Sequence, residues 1–166
     1  MTTPIHISSQ EMIGNPVISV TNGEMIAKVE DVQIDPNTLE AAAAVTSKGG
    51  LLSHDIEAIP ADRVELWGRD AMLAKGSDVI VKEEELDSQH GWLSVSDDIR
   101  GHEVFTEDGT RVGEVSDLAL DSQGRVKGYK MAGVAIESRV AVANWIDVKA
   151  TRSLGPDVLI VKSEYL

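Results

Sequence analysis

Val112-Gly113-Glu114-Val115-Ser116-Asp117-Leu118-Ala119-Leu120-Asp121 decides how this chain is read, because Ile26-Ala27-Lys28-Val29-Glu30-Asp31-Val32-Gln33-Ile34-Asp35 states the same pattern 86 residues earlier. Working outward, both stretches follow a turn signal, Asn22-Gly23 in one and Asp108-Gly109 in the other. Before the turns, Ser9-Gln10-Glu11-Met12-Ile13-Gly14-Asn15-Pro16-Val17 matches Ser96-Asp97-Asp98-Ile99-Arg100-Gly101-His102-Glu103-Val104. Farther along, Asp78-Val79-Ile80-Val81-Lys82 is set against Asp157-Val158-Leu159-Ile160-Val161-Lys162, an alignment that drops the offset to 79. A recurrence in this order reads as an internal duplication with small insertions.

The chain is long enough for one ordinary domain or two of about 80 residues. We place the copies at residues 1–88 and 89–166, with an acidic linker in Glu83-Glu84-Glu85-Leu86-Asp87-Ser88-Gln89-His90-Gly91. Each copy reads as strands. Asn-Gly and Asp-Gly between apolar segments signal tight hairpins of type I′. Asp35-Pro36-Asn37 and Asp121-Ser122-Gln123-Gly124 supply the next turns. Returning strands follow at Ala41–Thr46 and Val126–Ala132, then at Ile56–Pro60, Arg63–Leu66, Val140–Val142, Trp145–Val148, Val79–Val81 and Leu159–Val161. Ile26, Val29 and Val32 recur every third residue, as do Val112, Val115 and Leu118. That spacing suits a helix, but β-branched residues between close turns favour a strand with a bulge near Glu30-Asp31 and Ser116-Asp117. Four alanines at 41–44 favour helix by propensity; the matching Lys127-Gly128-Tyr129-Lys130 argues for a strand instead.

Composition narrows the function. The net charge is −13, with 15 cations against 28 acids, a poor footprint for nucleic acid or for an anionic membrane surface. The first copy holds 16 acids and 6 bases; the second holds 12 and 9. No stretch has the roughly 18 apolar residues of a membrane span, and the first residues lack the pattern of a secretory leader. A protein of the cytoplasm is therefore expected. The absence of cysteine removes disulfides, thiolate metal sites and cysteine nucleophiles.

The quoted residues resemble the PRC-barrel family, the small β-barrel found in the H subunit of photosynthetic reaction centres and in a ribosome maturation factor. The second copy carries the likeness through Ile99-Arg100-Gly101, Val104, Asp108-Gly109 and the Val112–Asp121 run. In the first, Ile13-Gly14, Asn22-Gly23, Val29-Glu30-Asp31-Val32 and Ile34-Asp35 carry it, with Ala27 where the family favours Gly. Ile59-Pro60-Ala61-Asp62 resembles the family's later Pro-containing strand opening, replaced in the second copy by Val142-Ala143-Asn144-Trp145. The resemblance implies an all-β chain of two small barrels in tandem, each an interaction module and not a catalyst. Gly14, Gly23, Gly101 and Gly109 would then be turn residues, with Asp31 and Asp117 accepting backbone N–H bonds at the bulges.

Catalytic and ligand motifs are thin. His6, His54, His90 and His102 form no His-x-His or His-x-x-x-His pair. Ser53-His54-Asp55 are adjacent and cannot converge as a triad, and no Gly-x-Ser-x-Gly elbow occurs. Phosphate-binding glycine motifs are absent, and the acidic pairs Glu30-Asp31 and Asp97-Asp98 lack the calcium-loop pattern. No cofactor or metal is expected. Leu51 and Leu52, between a Gly-rich and a polar stretch, either form an exposed contact patch or plug a barrel. Trp67 and Trp92, with Trp145, are candidates for packing between the copies or against a partner. The expected function is a non-enzymatic adaptor or assembly factor whose acidic first copy meets a protein partner with a basic surface, and a homodimer would aid stability. The alternative is a barrel binding a small molecule or a metal ion, with weak hydrolytic activity.

Overall fold

The computed structural model describes residues 6–49, 55–86, 91–136 and 143–166. The first copy opens with β1 (Ile7–Ser8) and one α-helical turn, α1 (Ser9–Met12). It continues through β2 (Pro16–Ser19), β3 (Met25–Lys28), β4 (Asp31–Asp35) and β5 (Glu40–Ser47). It then adds β6 (Glu57–Pro60), β7 (Val64–Trp67), β8 (Met72–Ala74) and β9 (Val81–Lys82). The second copy repeats the plan with β10 (Leu93–Ser94), β11 (Glu103–Thr106), β12 (Arg111–Leu120) and β13 (Val126–Ala132). It ends with β14 (Trp145–Asp147), β15 (Thr151–Leu154) and β16 (Val158–Val161).

The chain is all-β, but its sheets are open and not closed into barrels. Their orders are β14-β13-β12-β11-β16-β15 with β1 added to β12, then β10-β4-β5-β6-β9, then β3-β2-β8-β7. One apolar cluster runs through both copies, and corresponding positions fill it alike. Met12 and Ile99, Val17 and Val104, Val29 and Val115, Ile34 and Leu120, Ile59 and Ile146, and Met72 and Leu159 are all 2% exposed or less. Burying side chains of this size contributes about 1.5–3 kcal/mol each, so the shared core welds the copies together.

The threefold spacing resolves as a bulge. In the second copy β12 shifts register between Val115 and Asp117, and Val112, Val115, Leu118 and Leu120 all stay buried on one side of the core. In the first copy the ladder lapses at Val29–Glu30, dividing the run into β3 and β4. The alanines form strand after all. Ala43 and Ala44 lie within β5 between β4 and β6, both fully buried. Packing overrides propensity there.

Three sequence expectations are corrected. The hairpin turns are not type I′, because only Gly23 (φ 71°) and Gly109 (φ 86°) take positive φ, while Asn22 and Asp108 do not. Thr106 N–H bonds Thr110 O at 2.9 Å, giving a three-residue loop with glycine in the left-handed position. Next, the counterpart of β16 is β8, not Val79–Val81. β8 runs parallel to β2 through Val17–Met72, as β16 runs parallel to β11 through Val104–Leu159. The offset is therefore 87 here, and β9 is an addition that pairs with β6. Finally, Pro60-Ala61-Asp62 corresponds to Asp147-Val148-Lys149, since each leads a 3-10 turn, Ala61–Arg63 or Val148–Ala150. Asp147 caps its turn through Lys149 N–H, which Pro60 cannot do. The proposed strand at Val140–Val142 lies outside the described residues.

Candidate functional site

The two copies exchange their opening strands. β1 of the first copy pairs with β12 of the second, Ile7 opposite Leu120, and β10 of the second pairs with β4 of the first, Leu93 opposite Ile34. Each strand leads into a helical turn that lands on the bulge carboxylate of the other copy. Ser8 caps α1 by accepting from Glu11 N–H, and Ser94 caps Val95–Ile99 by accepting from Asp97 N–H. The second turn is wider, of π type, with Arg100 N–H bonded to Val95 O at 2.9 Å. One extra residue is absorbed there. The offset accordingly rises from 86 at the capping serines to 87 at Met12 and Ile99.

Asp117, 2% exposed, accepts from Leu118 N–H at 2.8 Å, from Gln10 N–H at 3.2 Å and from the Ser9 hydroxyl. Arg100 completes the joint, its Nε 3.5 Å from Asp117 Oδ1 and its Nη2 donating to Ser9 Oγ at 2.8 Å. Asp31, equally buried, accepts from Val32 N–H at 2.8 Å, from Ser96 N–H and Oγ at 3.2 and 3.0 Å, and from the Ser94 hydroxyl. Lys48 Nζ is its cation, at 3.3 Å. Burial alone would raise the Asp31 pKa. The hydrogen bonds from Ser94, Val32 and Ser96 outweigh it and hold the carboxyl below its ordinary value. Gly14 (φ 95°) and Gly101 (φ 89°) stand where each helical turn meets its own bulge, donating to Val29 O and Val115 O at 2.7 Å. The left-handed backbone at these two places is what glycine supplies.

Around Asp31 the joint opens into a groove of about 470 Å³. Gln33, Val45, Lys48, Ile56, Glu83, Trp92, Ser94, Asp97 and Asp98 line it with Asp31. Trp92 packs against the small cluster of Ala43, Ala58 and Leu86. Lys48 also reaches Asp97 at 3.8 Å, and the Oε1 of Gln33 is buried without a hydrogen-bond partner. The corresponding place in the second copy carries different residues. His6 stands for Trp92 and Trp145 for Ala58, the two rings stacking at 5.7 Å. Trp145 lies so close over Gly128 that a Cβ there would be 2.3 Å from Cζ2.

Trp67 is 3% exposed, inside the shared core, and touches the second copy at Gly124; Trp67 N–H bonds Ser122 O at 2.9 Å. It is thus turned inward, against the second copy. Leu51, Leu52 and the neighbouring Ser53-His54 lie outside the described residues, as does His90. His102 is 5% exposed and donates through Nε2 to Gly155 O at 2.7 Å, a histidine satisfied within the fold. Reading the sequence missed the partners of Asp31 and Asp117. The signal was present in the serines that open both copies, Ser8-Ser9 and Ser94-Val95-Ser96, but nothing local says that they cross over.

Among the described residues no group of three or more His, Asp or Glu is placed to hold a metal ion, and no helix is long and apolar enough to cross a membrane. A comparison with curated proteins gives no match. The family model described as the PRC-barrel domain matches residues 4–81 and 96–164, one segment for each copy, and the chain belongs to that family.

Proposed function

We propose that this chain is a non-enzymatic protein-interaction or assembly module whose acidic first copy docks on a basic protein surface. The observation that supports it most directly is the asymmetry of charge on a duplicated architecture. Residues 1–88 hold 16 acids to 6 bases, and residues 89–166 hold 12 to 9. The repeated core needs no such imbalance. Opposite charge on a partner would raise the association rate and make binding sensitive to salt. The test is affinity capture from native lysate with the full chain at low and moderate salt, because the exchanged strands leave each half incomplete. Enrichment of a basic protein that is lost as salt rises is the expected result. Salt-insensitive retention of acidic or neutral proteins overturns the reading.

The open groove beside Trp92 favours a second reading, a module that binds a small molecule. A ligand specific for the folded state would raise the melting temperature by mass action, so a thermal-shift screen of metabolites and metal ions separates the two.

A further inference from the structure

We infer that the groove beside Trp92 is a receptor for an arginine side chain carried by a basic partner segment. This rests on the proposed basic partner and states where and how the contact is made. The groove has one aromatic wall, one buried amide oxygen with no hydrogen-bond partner, and an excess of carboxylates. Trp92 supplies the wall, Gln33 Oε1 the acceptor, and Asp97, Asp98 and Glu83 the charge. Lys48 is the cation in the groove, and it is engaged by Asp31 at 3.3 Å and Asp97 at 3.8 Å. Asp98 holds Ser94 N–H at 2.8 Å, while Asp97 is 72% exposed and faces the opening. A cationic occupant therefore gains attraction that an anionic one would lose.

Arginine fits this combination better than lysine. Its planar guanidinium stacks on an indole face, and its fork of donors can meet a carboxylate and an amide oxygen together. In the second copy His6 takes the place of Trp92 and stacks on Trp145 at 5.7 Å, so the two copies present different surfaces there.

The experiment is anisotropy of labelled hexa-arginine titrated with the full chain at low salt, beside hexa-lysine and hexa-glutamate. Glu83→Gln with Asp97→Asn removes two of the four carboxylate charges of the groove, while Glu24→Gln with Asp70→Asn removes the same charge from exposed positions elsewhere. We expect hexa-arginine to bind more tightly than hexa-lysine, and the groove pair to weaken it about tenfold against less than about twofold for the control pair. Trp92→Leu, checked for folding by circular dichroism, should weaken it about threefold or more. Equal weakening by both pairs, or no loss in Trp92→Leu, overturns the receptor while leaving a basic partner standing. Failure of both basic peptides to bind overturns receptor and basic partner together. Self-association at low salt that the groove pair abolishes would make a second copy the occupant, and likewise overturns the receptor.

Discussion

The two joints of this molecule are built to one plan and finished differently. At both, a buried aspartate on a bulge holds the opening turn of the other copy through a serine hydroxyl and a backbone N–H. At Asp117 the cation is Arg100, only 26% exposed, and the aromatic pair His6–Trp145 stacks on the outside. At Asp31 the cation is Lys48, 41% exposed, and the outside stays open against Trp92. Duplication kept what the exchanged strands need to dock and released the surface beyond it. A groove borders the Asp31 joint.

The largest expected effect comes from cutting the plan in two. Residues 1–88 without β10, or 89–166 without β1, each lose the strand and turn that satisfy a buried aspartate. Neither half alone should give a folded monomer by circular dichroism and sedimentation, and mixing them should restore a one-to-one complex. A cooperative monomeric transition from either half would break the comparison at its base.

Next come the aspartates. Asp117→Asn strands a partly buried guanidinium and should cost about 3 kcal/mol in urea denaturation. Asp31→Asn should cost about 2 kcal/mol, because Lys48 can turn to water or to Asp97. The reverse order would mean that exposure of the cation does not set the difference.

The pH limbs sharpen the same contrast. The native pKa of Asp31 is depressed below 3.8, so its contribution is complete above that value and is lost as pH falls through the lower native one. The acid limb of stability should therefore flatten in Asp31→Asn. Tyr129, buried and bonded to Thr151 Oγ1 at 2.8 Å, belongs to the second copy, and burial pushes its hydroxyl up to about 12. The native state then holds the phenolic proton more tightly than the unfolded chain, and stability falls as pH rises from 10 to 12. That alkaline loss, about 2 kcal/mol from a shift of this size, should vanish in Tyr129→Phe.

The last contrast concerns the outside of the second joint. Gly128→Ala would press a Cβ against Trp145 and the Ile146 carbonyl, 2.6 Å away, and should cost about 1–3 kcal/mol by thermal melting. Ala43→Gly, at the equivalent place in β5, should cost about 1–2 kcal/mol, through backbone entropy and the loss of a buried methyl. No cost in Gly128→Ala would show that Trp145 leaves room over β13.

The amino-acid sequence by itself determined the duplication, the β class, the bulges and the aspartates upon them. Those features rest on local pattern: apolar spacing, Asn-Gly and Asp-Gly turns, and Val29-Glu30-Asp31-Val32 echoed by Val115-Ser116-Asp117-Leu118. It misaligned the end of each copy, because Val79-Ile80-Val81 looks like Leu159-Ile160-Val161 while pairing, not likeness, makes Met72–Ala74 the counterpart. Only the tertiary structure decided which serines reach which aspartate. Strand exchange is a choice between two partners with similar local sequence, settled by packing across the shared core. Tertiary packing also decided how the outside of each joint is built, since Trp92 over Ala58 and His6 over Trp145 fill space differently with residues that no local pattern relates.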